Sequence, residues 1–339
     1  MKNSSTLPFF PTPLWVILLF ILTSCSTSVN SDETFFLDDN GVTIKCPSAA
    51  PGDTGVVDGI EYEAVNRDLL EQRIADGADL TRVCTSNIAD MSELFKDDSS
   101  FNQNIGHWDV SSVTNMAMMF QDAATFNQDI GNWDVGNVEY MNNMFLNASA
   151  FNRDIGQWNM GNVLNMGGMF GGAASFNQDI GAWNVGNVRE MNGMFTGAVS
   201  FDQNISEWDV SNVVQFNGMF ADAAAFNQDI GGWNTESAAT TNFMFAGATS
   251  FNQDIGSWNM GSVSTAAFMF SGASSFNQDI GGWDLSNIGI MDGMFRDAVL
   301  FNQDISGWCV ENIESEPFDF ATGSALVPDH YPVWGTCPG

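Results

Sequence analysis

The stretch FNQDIGNWDVGNVEYMNNMFLNASA, residues 126–150, decides the fold, because close copies of it follow one another nine times between residues 101 and 308. The copies begin every 25 residues, and no insertion or deletion interrupts them. Such regularity is typical of a solenoid, in which each unit contacts only its neighbours. The sequence therefore predicts one repeat domain, although 339 residues would suffice for two ordinary domains.

Three positions of the unit hold the same side chain in all nine copies, namely those of Phe101, Ile105 and Trp108. The stretch from Ile105 to Val110 has a β-compatible composition and lies beside a Gly or Ser in each copy. This pattern predicts one short strand per unit. Strands of successive units would then form a parallel sheet along one face.

A second group of apolar positions follows the expected strand. Val113, Met116, Met119, Phe120 and Ala123 are spaced at i, i+3, i+6, i+7 and i+10, which places them on one face of a short helix. We therefore expect a repeat solenoid of the leucine-rich-repeat-like α/β class, with one short strand and one short helix in each 25-residue turn.

A single unit of this kind cannot fold alone. Burying one large apolar side chain is worth about 1.5–3 kcal/mol, whereas ordering each residue costs about 1.5 kcal/mol, so stacking must supply the missing burial. The two ends of the stack need caps. We assign residues 41–100 to an N-terminal cap with a half repeat, 101–308 to the repeats and 309–339 to a C-terminal cap.

The chain is strongly acidic, with 41 Asp and Glu against nine Lys and Arg and a formal charge of −32. Residues 101–308 alone contain 20 acidic and three basic residues. Such a surface would repel a phosphate backbone, so nucleic acid is excluded as a partner. Two interpretations of the charge stay open: it keeps the protein soluble, or it forms a cation-binding surface.

The first residues are typical of an exported bacterial protein. Lys2 precedes a short apolar stretch at residues 14–22, which is too short to span a bilayer as a helix. Residues 22–25, Leu-Thr-Ser-Cys, resemble a lipobox, whose cysteine is lipidated and becomes the mature N-terminus. The sequence thus predicts a signal peptide at residues 1–24 and a lipid anchor at Cys25.

Acylation of Cys25, with palmitate for example, would hold the mature chain on a membrane surface, since stable anchoring needs more than one acyl chain. Ser26, rather than Asp, follows the cysteine, and by resemblance to lipoprotein sorting this favours the outer membrane. The polar composition of residues 25–40 predicts a flexible tether that presents the array at the cell surface. An uncleaved anchor, or an ordinary signal peptide with a chance cysteine, is the alternative.

Four further cysteines allow two disulfides in three pairings. Cys84 and Cys309 lie nine periods apart, which corresponds to roughly 43 Å at a strand spacing of about 4.8 Å and is far beyond disulfide reach. Each end must therefore pair locally. We predict the disulfides Cys46–Cys84 and Cys309–Cys337, each in one cap; a metal site is the alternative.

The repeat unit of residues 126–151 closely resembles the 25-residue repeat of BspA-type bacterial surface lipoproteins, which are relatives of leucine-rich repeats. The resemblance covers residues 85–308 and implies a right-handed, curved solenoid on the cell surface, with adhesion or partner binding in some members. The match weakens where Phe216, Thr241 and Ala266 replace the methionine of position 116. We expect residues 234–241 to form the softest part of the stack.

One tryptophan in each unit could form an aromatic platform for glycans. An aromatic residue at strict repeat phase is more often part of the core, and we predict burial because these side chains share the apolar register of Ile105 and Val110. The neighbouring column varies and should face solvent; it contains His107, Asn132, Gln157, Ala182 and Glu207. The tryptophans are Trp108, Trp133, Trp158, Trp183, Trp208, Trp233, Trp258, Trp283 and Trp308.

An acidic column offers a candidate metal site. Carboxylates stacked about 4.8 Å apart would repel one another by about 1 kcal/mol in water, so something must relieve the repulsion. Either each Asp accepts backbone N–H bonds in a local turn, or Ca²⁺ is held between the rungs. Asn104 and Asn204 occupy the other two units, and the aspartates are Asp129, Asp154, Asp179, Asp229, Asp254, Asp279 and Asp304.

A column of amides resembles the asparagine ladders that satisfy turn backbone in solenoids, and we predict a structural role for it. Its members are Asn102, Asn127, Asn152, Asn177, Asp202, Asn227, Asn252, Asn277 and Asn302.

Catalytic motifs are absent from the sequence. Only His107 and His330 are available as imidazoles, and they lie at opposite ends of the expected stack. No nucleophile elbow, phosphate-binding loop or spaced zinc ligand set occurs. The sequence therefore predicts a non-catalytic, lipid-anchored surface protein that acts in adhesion or protein–protein contact. A calcium-dependent or glycan-binding module and a structural spacer are the alternatives.

Overall fold

The computed structural model describes Met1 and residues 34–338. Apart from Met1, the predicted signal peptide (1–24), the lipidation site Cys25 and the sorting residue Ser26 lie outside the described residues. Residues from Thr34 onward make up one unit of the chain. In the part that the structure describes, no helix is long and apolar enough to cross a membrane.

The N-terminal cap contains two small sheets. Strand β1 (Phe36–Leu37) pairs antiparallel with β2 (Ile44–Lys45). In the second sheet, β3 (Thr54–Val57) pairs antiparallel with β4 (Ile60–Ala64), which pairs in parallel with β5 (Val83–Cys84). Because β1 lies within residues 25–40, the C-terminal part of the segment predicted to be a tether belongs to the cap instead.

Within the described residues, one α-helix lies between the cap sheets and the first half repeat. Helix α1 (Arg67–Ala75) begins after Asn66, whose side chain accepts a hydrogen bond from the amide of Leu69 and caps the helix. At its start, the Arg67 guanidinium bonds the side chain of Asp90 and the carbonyl of Ser92. Short 3₁₀ helices lie at Leu80–Arg82 and Pro328–His330.

The stacked array predicted from the sequence is present, but its internal structure differs from the prediction. Between residues 85 and 327 the described chain contains neither a helix nor a strand of two or more residues. Successive rungs meet instead at isolated parallel β-bridges, one residue per rung, from Asp90↔Asn115 to Thr265↔Ile290. The predicted strand and helix of each 25-residue turn, and the continuous parallel sheet, are therefore wrong.

Consecutive tight turns take the place of the predicted helix. The amides of Met119, Gln121 and Ala123 each donate to the carbonyl three residues earlier. The alternate amides, for example those of Met118 and Phe120, donate to carbonyls of the next rung at 2.9 Å. Each rung thus satisfies half of these groups locally and half through its neighbours, so it cannot persist without them.

Left-handed backbone explains why no helix forms. Met118 and Asp122 have φ values of 59° and 60°, and most equivalent residues in later rungs are also left-handed. Glycine occupies many of these positions, including Gly168 and Gly172, because it adopts positive φ without a steric cost. A continuous α-helix is incompatible with two left-handed residues in each turn. The i, i+3, i+7 spacing arises here from turns that bring the same side chains inward.

The core of the array consists of aromatic columns. The rings of Phe126 and Phe151, one rung apart, stack with centroids 5.9 Å apart, and those of Phe120 and Phe126 lie 3.9 Å apart. Methionines of the 116 and 119 positions fill the space beside the rings and are fully buried where they occur. This core continues from the helix α1 region to the C-terminal cap.

Both predicted disulfides are present, Cys46–Cys84 in the N-terminal cap and Cys309–Cys337 in the C-terminal cap. The first lies in a small separate core with Phe35 and Ile44. The second joins the last rung to the chain end.

Candidate functional site

One strip of the array combines variation with side chains that are mostly exposed or half-buried, and we call it the variable face. It comprises residues 114, 115, 117, 118 and 121 of the first full unit and their equivalents every 25 residues. The side chains between them, at positions 116, 119 and 120, are buried in the core. Positions 119 and 120 are Met and Phe in all eight units, whereas position 116 is Met in five units and Phe, Thr or Ala in the other three. The β-bridge column shows the contrast and reads Asn115, Tyr140, Asn165, Glu190, Gln215, Thr240, Thr265 and Ile290.

Part of the variable face is ordered by a second amide ladder that the sequence analysis missed. The Asn192 side-chain oxygen accepts from the amide of Asn217, and Asn217 accepts in the same way from Asn242. Their NH₂ groups donate to Gln215 and Thr240 in the neighbouring column. The recurrence of Asn at the equivalents of position 117 was the sequence signal that could have predicted this ladder.

A partly exposed aromatic pair interrupts the glycines of the face. Phe243 and Phe268 occupy consecutive rungs at φ 57° and 55°, in the position that is glycine in Gly193 and Gly218. Their rings stack with centroids 5.1 Å apart, and Phe243 is 47% exposed. The ring of Phe268 fills the space that a Cβ would occupy at Gly293. A bulky residue in left-handed backbone is uncommon and costs about 1–2 kcal/mol.

A groove of about 730 Å³ crosses three rungs of the variable face. Six of its lining residues are glycines, which contribute no side chain of their own. Amide side chains and one carboxylate line its edges: Asn142, Asn143, Asn147, Asn165, Asn192 and Glu190.

The nine tryptophans are buried at 4% exposure or less, in agreement with the predicted core role. Each indole Nε1–H donates to a carbonyl of the preceding rung at 2.9–3.2 Å; Trp133 donates to Ile105, for example. Their rings are therefore not available to stack on a glycan. Of the column beside them, His107 is half-buried under the cap, while Asn132, Gln157, Ala182 and Glu207 are exposed.

The predicted asparagine ladder is formed along the whole array. The side-chain oxygen of Asn102 accepts from the amide of Asn127, and the same bond repeats in every rung until Asn302 accepts from Val327. Asp202 fits the ladder because only an acceptor oxygen is required.

The acidic column forms local turns. One carboxylate oxygen of Asp129 accepts from the amide of Gly131 at 3.1 Å, and the other six aspartates bond the amide two residues on. The same bond is made by the Asn104 and Asn204 amide oxygens. The aspartates therefore accept backbone N–H bonds in local turns, which is the first of the two alternatives raised by the sequence. The second oxygen of each carboxylate does not accept a turn amide. Calcium binding by this column stays a prediction.

Within the described residues, the one group of three potential metal ligands whose donor atoms lie within 4.8 Å of each other is Cys309, Glu311 and Cys337. Two of the three sulfur and oxygen donors belong to the disulfide, so this group does not offer a thiolate site.

The electrostatics of the array are those of an exposed acidic surface. Hydrogen bonds from Ser211 hold the pKa of Asp209 below its usual range, and the Asn147 and Gln121 amides do the same for Asp122. Burial lowers the pKa of His107, whose ring contacts the carbonyl of Val83 at 3.1 Å. These shifts follow from turn and cap structure, and they do not converge on one cleft.

The fold and its variable face define the chain as a tandem-repeat protein. It belongs to the family described as "Mycoplasma protein of unknown function, DUF285", whose pattern matches residues 68–181, 153–247 and 228–330. The finer BspA-type resemblance stays a prediction. No curated protein matches the chain.

A solved structure described as "Crystal structure of TLR13-ssRNA13 complex" is 10% identical in sequence, with a TM-score of 0.17. The alignment covers 77% of this chain and 53% of that one, so this chain spans about half the length of that structure. A likeness this weak carries no argument about fold or function.

Proposed function

We propose that this protein is a lipid-anchored cell-surface repeat protein whose variable face binds other proteins, in adhesion or a related contact, without catalysis. The proposal rests on the difference between the inward-facing and outward-facing positions of each rung. The inward positions equivalent to Met119, Phe120 and Ala123 are constant and buried in all eight units, while outward positions of the same turns change from unit to unit. A repetitive backbone that presents changing side chains is the architecture by which solenoids build extended binding surfaces.

The anchor is the second element of the proposal and rests on the lipobox that ends at Cys25. A diacyl or triacyl cysteine would retain the chain on the outer membrane. Outward display would bring the variable face into contact with extracellular partners. The acidic charge of the array favours partners with basic surfaces.

Protease accessibility on intact cells, followed by membrane fractionation of the same preparation, tests this function. We expect the protein to fractionate with membranes and to be digested from outside. Cys25→Ala should release it from the membrane fraction, whereas Cys309→Ala, as a matched control, should leave fractionation unchanged. Protection until the outer membrane is opened would contradict surface adhesion.

A calcium-dependent or glycan-binding role is the second candidate, and the groove on the variable face favours its glycan form. Asparagine amides and a carboxylate line the groove, and Tyr140, which is 42% exposed, lies one rung from Asn165. These groups provide hydrogen bonds and one stacking surface for a sugar ring. A glycan array on wild type and Tyr140→Ala tests this role; binding lost in the variant supports it, and a blank array rejects it.

The calcium form is tested by thermal unfolding in EDTA and in millimolar calcium. A higher melting temperature with calcium would support ions between the aspartates, because binding to the folded state alone stabilises it. An unchanged melting temperature would leave the aspartates as turn-forming residues only.

A further inference from the structure

Part of the variable face carries no charge, although the chain as a whole has a formal charge of −32. In the three successive rungs within residues 214–271, every side chain of the variable face is uncharged, and we call this part the neutral segment. The rungs on either side differ, since Arg189 and Glu190 precede the neutral segment and Asp292 and Arg296 follow it. The neutral segment therefore offers a partner apolar and hydrogen-bonding contacts rather than ion pairs.

The aromatic pair lies within the neutral segment, in backbone that phenylalanine adopts only at a steric cost. Phe243 and Phe268 have φ values of 57° and 55°, and the same position is glycine at Gly193, Gly218 and Gly293. Glycine would satisfy this turn without strain, so the turn itself does not require the two rings. Backbone strain of this kind is concentrated at functional sites.

The array is curved, and the variable face lies on its concave side. Equivalent rings in successive rungs are nearly parallel, so the distance between their centroids measures the local separation of the rungs. This distance is 6.3 Å for Trp233 and Trp258 on the opposite side of the core and 5.6–5.8 Å for the column of Phe120 in the core. It is 5.1 Å for Phe243 and Phe268 on the face. Rungs that lie closer together on one side bend the stack toward that side, so the face fits a convex partner.

Space is open beside the aromatic pair, on the side of the preceding rung. A Cβ added at Gly218 would meet only Thr196 and Ala221 within 4 Å, and neither lies closer than 3.4 Å. The side chain of Phe243, one rung further on, is 47% exposed. A partner side chain can therefore reach the backbone above Gly218 and contact the neighbouring ring.

The separation of the rungs on this face matches the rise of an α-helix. One helical turn rises about 5.4 Å, and the rings of Phe243 and Phe268 lie 5.1 Å apart. Side chains at i, i+4 and i+7 of a helix that runs along the array would therefore meet successive rungs. Along an extended strand, side chains of one face recur only about every 6.8 Å and lose this register.

We propose that the neutral segment binds an amphipathic helix of a partner protein. The helix lies along the concave face, with its apolar side chains on Phe243 and Phe268 and above Gly218. This inference rests on the proposed protein-binding function and adds the chemistry of the partner. A second copy of this chain is disfavoured, because two concave faces do not fit together and the remainder of each array is acidic.

Fluorescence anisotropy of labelled peptides with the full-length protein in lipid nanodiscs tests the proposal, with binding to empty nanodiscs subtracted. The probes are uncharged peptides of about 15 residues, long enough to form a helix, with Leu, Ile or Phe at i, i+4 and i+7. Each has a control peptide of the same composition, in which the apolar residues are scattered around the helix. We expect saturable binding of at least one ordered peptide and none of its scattered control.

Two variants of the neutral segment should weaken this binding at least about tenfold. Phe243→Gly with Phe268→Gly removes the rings and should not lower the melting temperature, because glycine suits the left-handed backbone. Ala267→Asp places a carboxylate against the apolar side of the helix. The fold should tolerate it, since Asp292 holds the same position in the next rung.

The matched control is Val299→Ala with Leu300→Ala, which removes two apolar side chains outside the variable face that are 53% and 57% exposed. This variant should bind as wild type. Equal binding of the scattered peptides, no binding of any ordered peptide, or equal weakening in the control variant would each overturn the proposal.

Light scattering on the same samples separates the other occupant. A wild-type dimer that is lost in the double phenylalanine variant would assign the neutral segment to a second copy of this chain and overturn the proposal. Since surface display is measured separately by protease accessibility, failure of the peptide titration would remove the helix contact and leave the proposed function standing.

Discussion

The inner wall and the variable face of each rung are made by alternating residues of the same turns, yet they obey different constraints. Val213 is 1% exposed, while its neighbour Val214 is 39% exposed. At the first position the units keep Val, Ile or Ala, and at the second they change among Thr, Glu, Leu, Arg, Val, Ala, Ser and Gly. Packing therefore constrains the residues on one side of the chain and leaves those on the other side free to vary.

The largest expected effect is the loss of stability when a tryptophan of the inner wall is replaced. Trp208→Ala should destabilise the protein by about 3–5 kcal/mol, because it opens a cavity and leaves the Ile180 carbonyl without its indole donor. Glu207→Ala, one residue earlier and exposed, is the control and should change stability by less than about 0.5 kcal/mol. Denaturant unfolding measures the stability of both variants. Similar losses of stability would contradict the distinction between a constrained inner wall and a tolerant variable face.

The asparagine ladder should give the next largest effect. Asn177 accepts hydrogen bonds from the Asp202 amide at 3.0 Å and from the Gln203 side chain at 2.9 Å. Asn177→Ala should therefore cost about 1–3 kcal/mol in unfolding free energy. Asn177→Asp keeps the acceptor oxygen, as Asp202 does in its own rung, and should cost less. A ladder that tolerates alanine as well as aspartate would not be structural.

A substitution on the variable face should act in the opposite direction. Phe243→Gly should raise stability by about 1 kcal/mol, because glycine adopts the left-handed backbone without the steric cost that phenylalanine bears. Gly218→Ala, in the same column at φ 61°, should lower it. The melting temperatures of the two variants check this. Destabilisation by Phe243→Gly would show that the pair with Phe268 supports the fold.

Acidification should produce the smallest effect. The pKa of Asp209 is lowered in the folded protein by hydrogen bonds from the Ser211 hydroxyl and amide. The contribution of the Asp209 carboxylate to the free energy of unfolding is therefore fully present above its unfolded pKa, near 3.8. It is lost as the pH falls through the lower pKa of the folded protein. Ser211→Ala should narrow the gap between melting temperatures at pH 7 and pH 3 slightly. An unchanged pH profile would show that the hydroxyl does not stabilise the carboxylate.

The sequence predicted the features that depend on strict recurrence. The 25-residue phase locates the buried tryptophans and the asparagine ladder, because a side chain that must fit its own copy above and below cannot change. The local pairing of Cys46 with Cys84 follows from the length of the stack alone. These predictions needed only the repeat and the spacing of its rungs.

The predicted helix failed because the 3–4 residue spacing of apolar side chains is shared by helices and by successive turns. Glycines such as Gly168 and Gly172 in the middle of the expected helix were the missed signal, since glycine weakens a helix and favours left-handed backbone. The register of the C-terminal cap, where Gly293 donates to Phe318 while Phe268 donates to Asp292, could not be predicted, because a one-residue change of register leaves no mark in a segment without repeats.

The most direct test of the account compares Val213→Ala with Val214→Ala by denaturant unfolding. The two substitutions remove the same atoms from adjacent residues, and the Val214 amide keeps its bond to Arg189 in both. We predict that Val213→Ala lowers the free energy of unfolding by about 2 kcal/mol and Val214→Ala by less than about 0.5 kcal/mol. Equal losses would contradict it, because the variable face would then be as constrained by the fold as the wall.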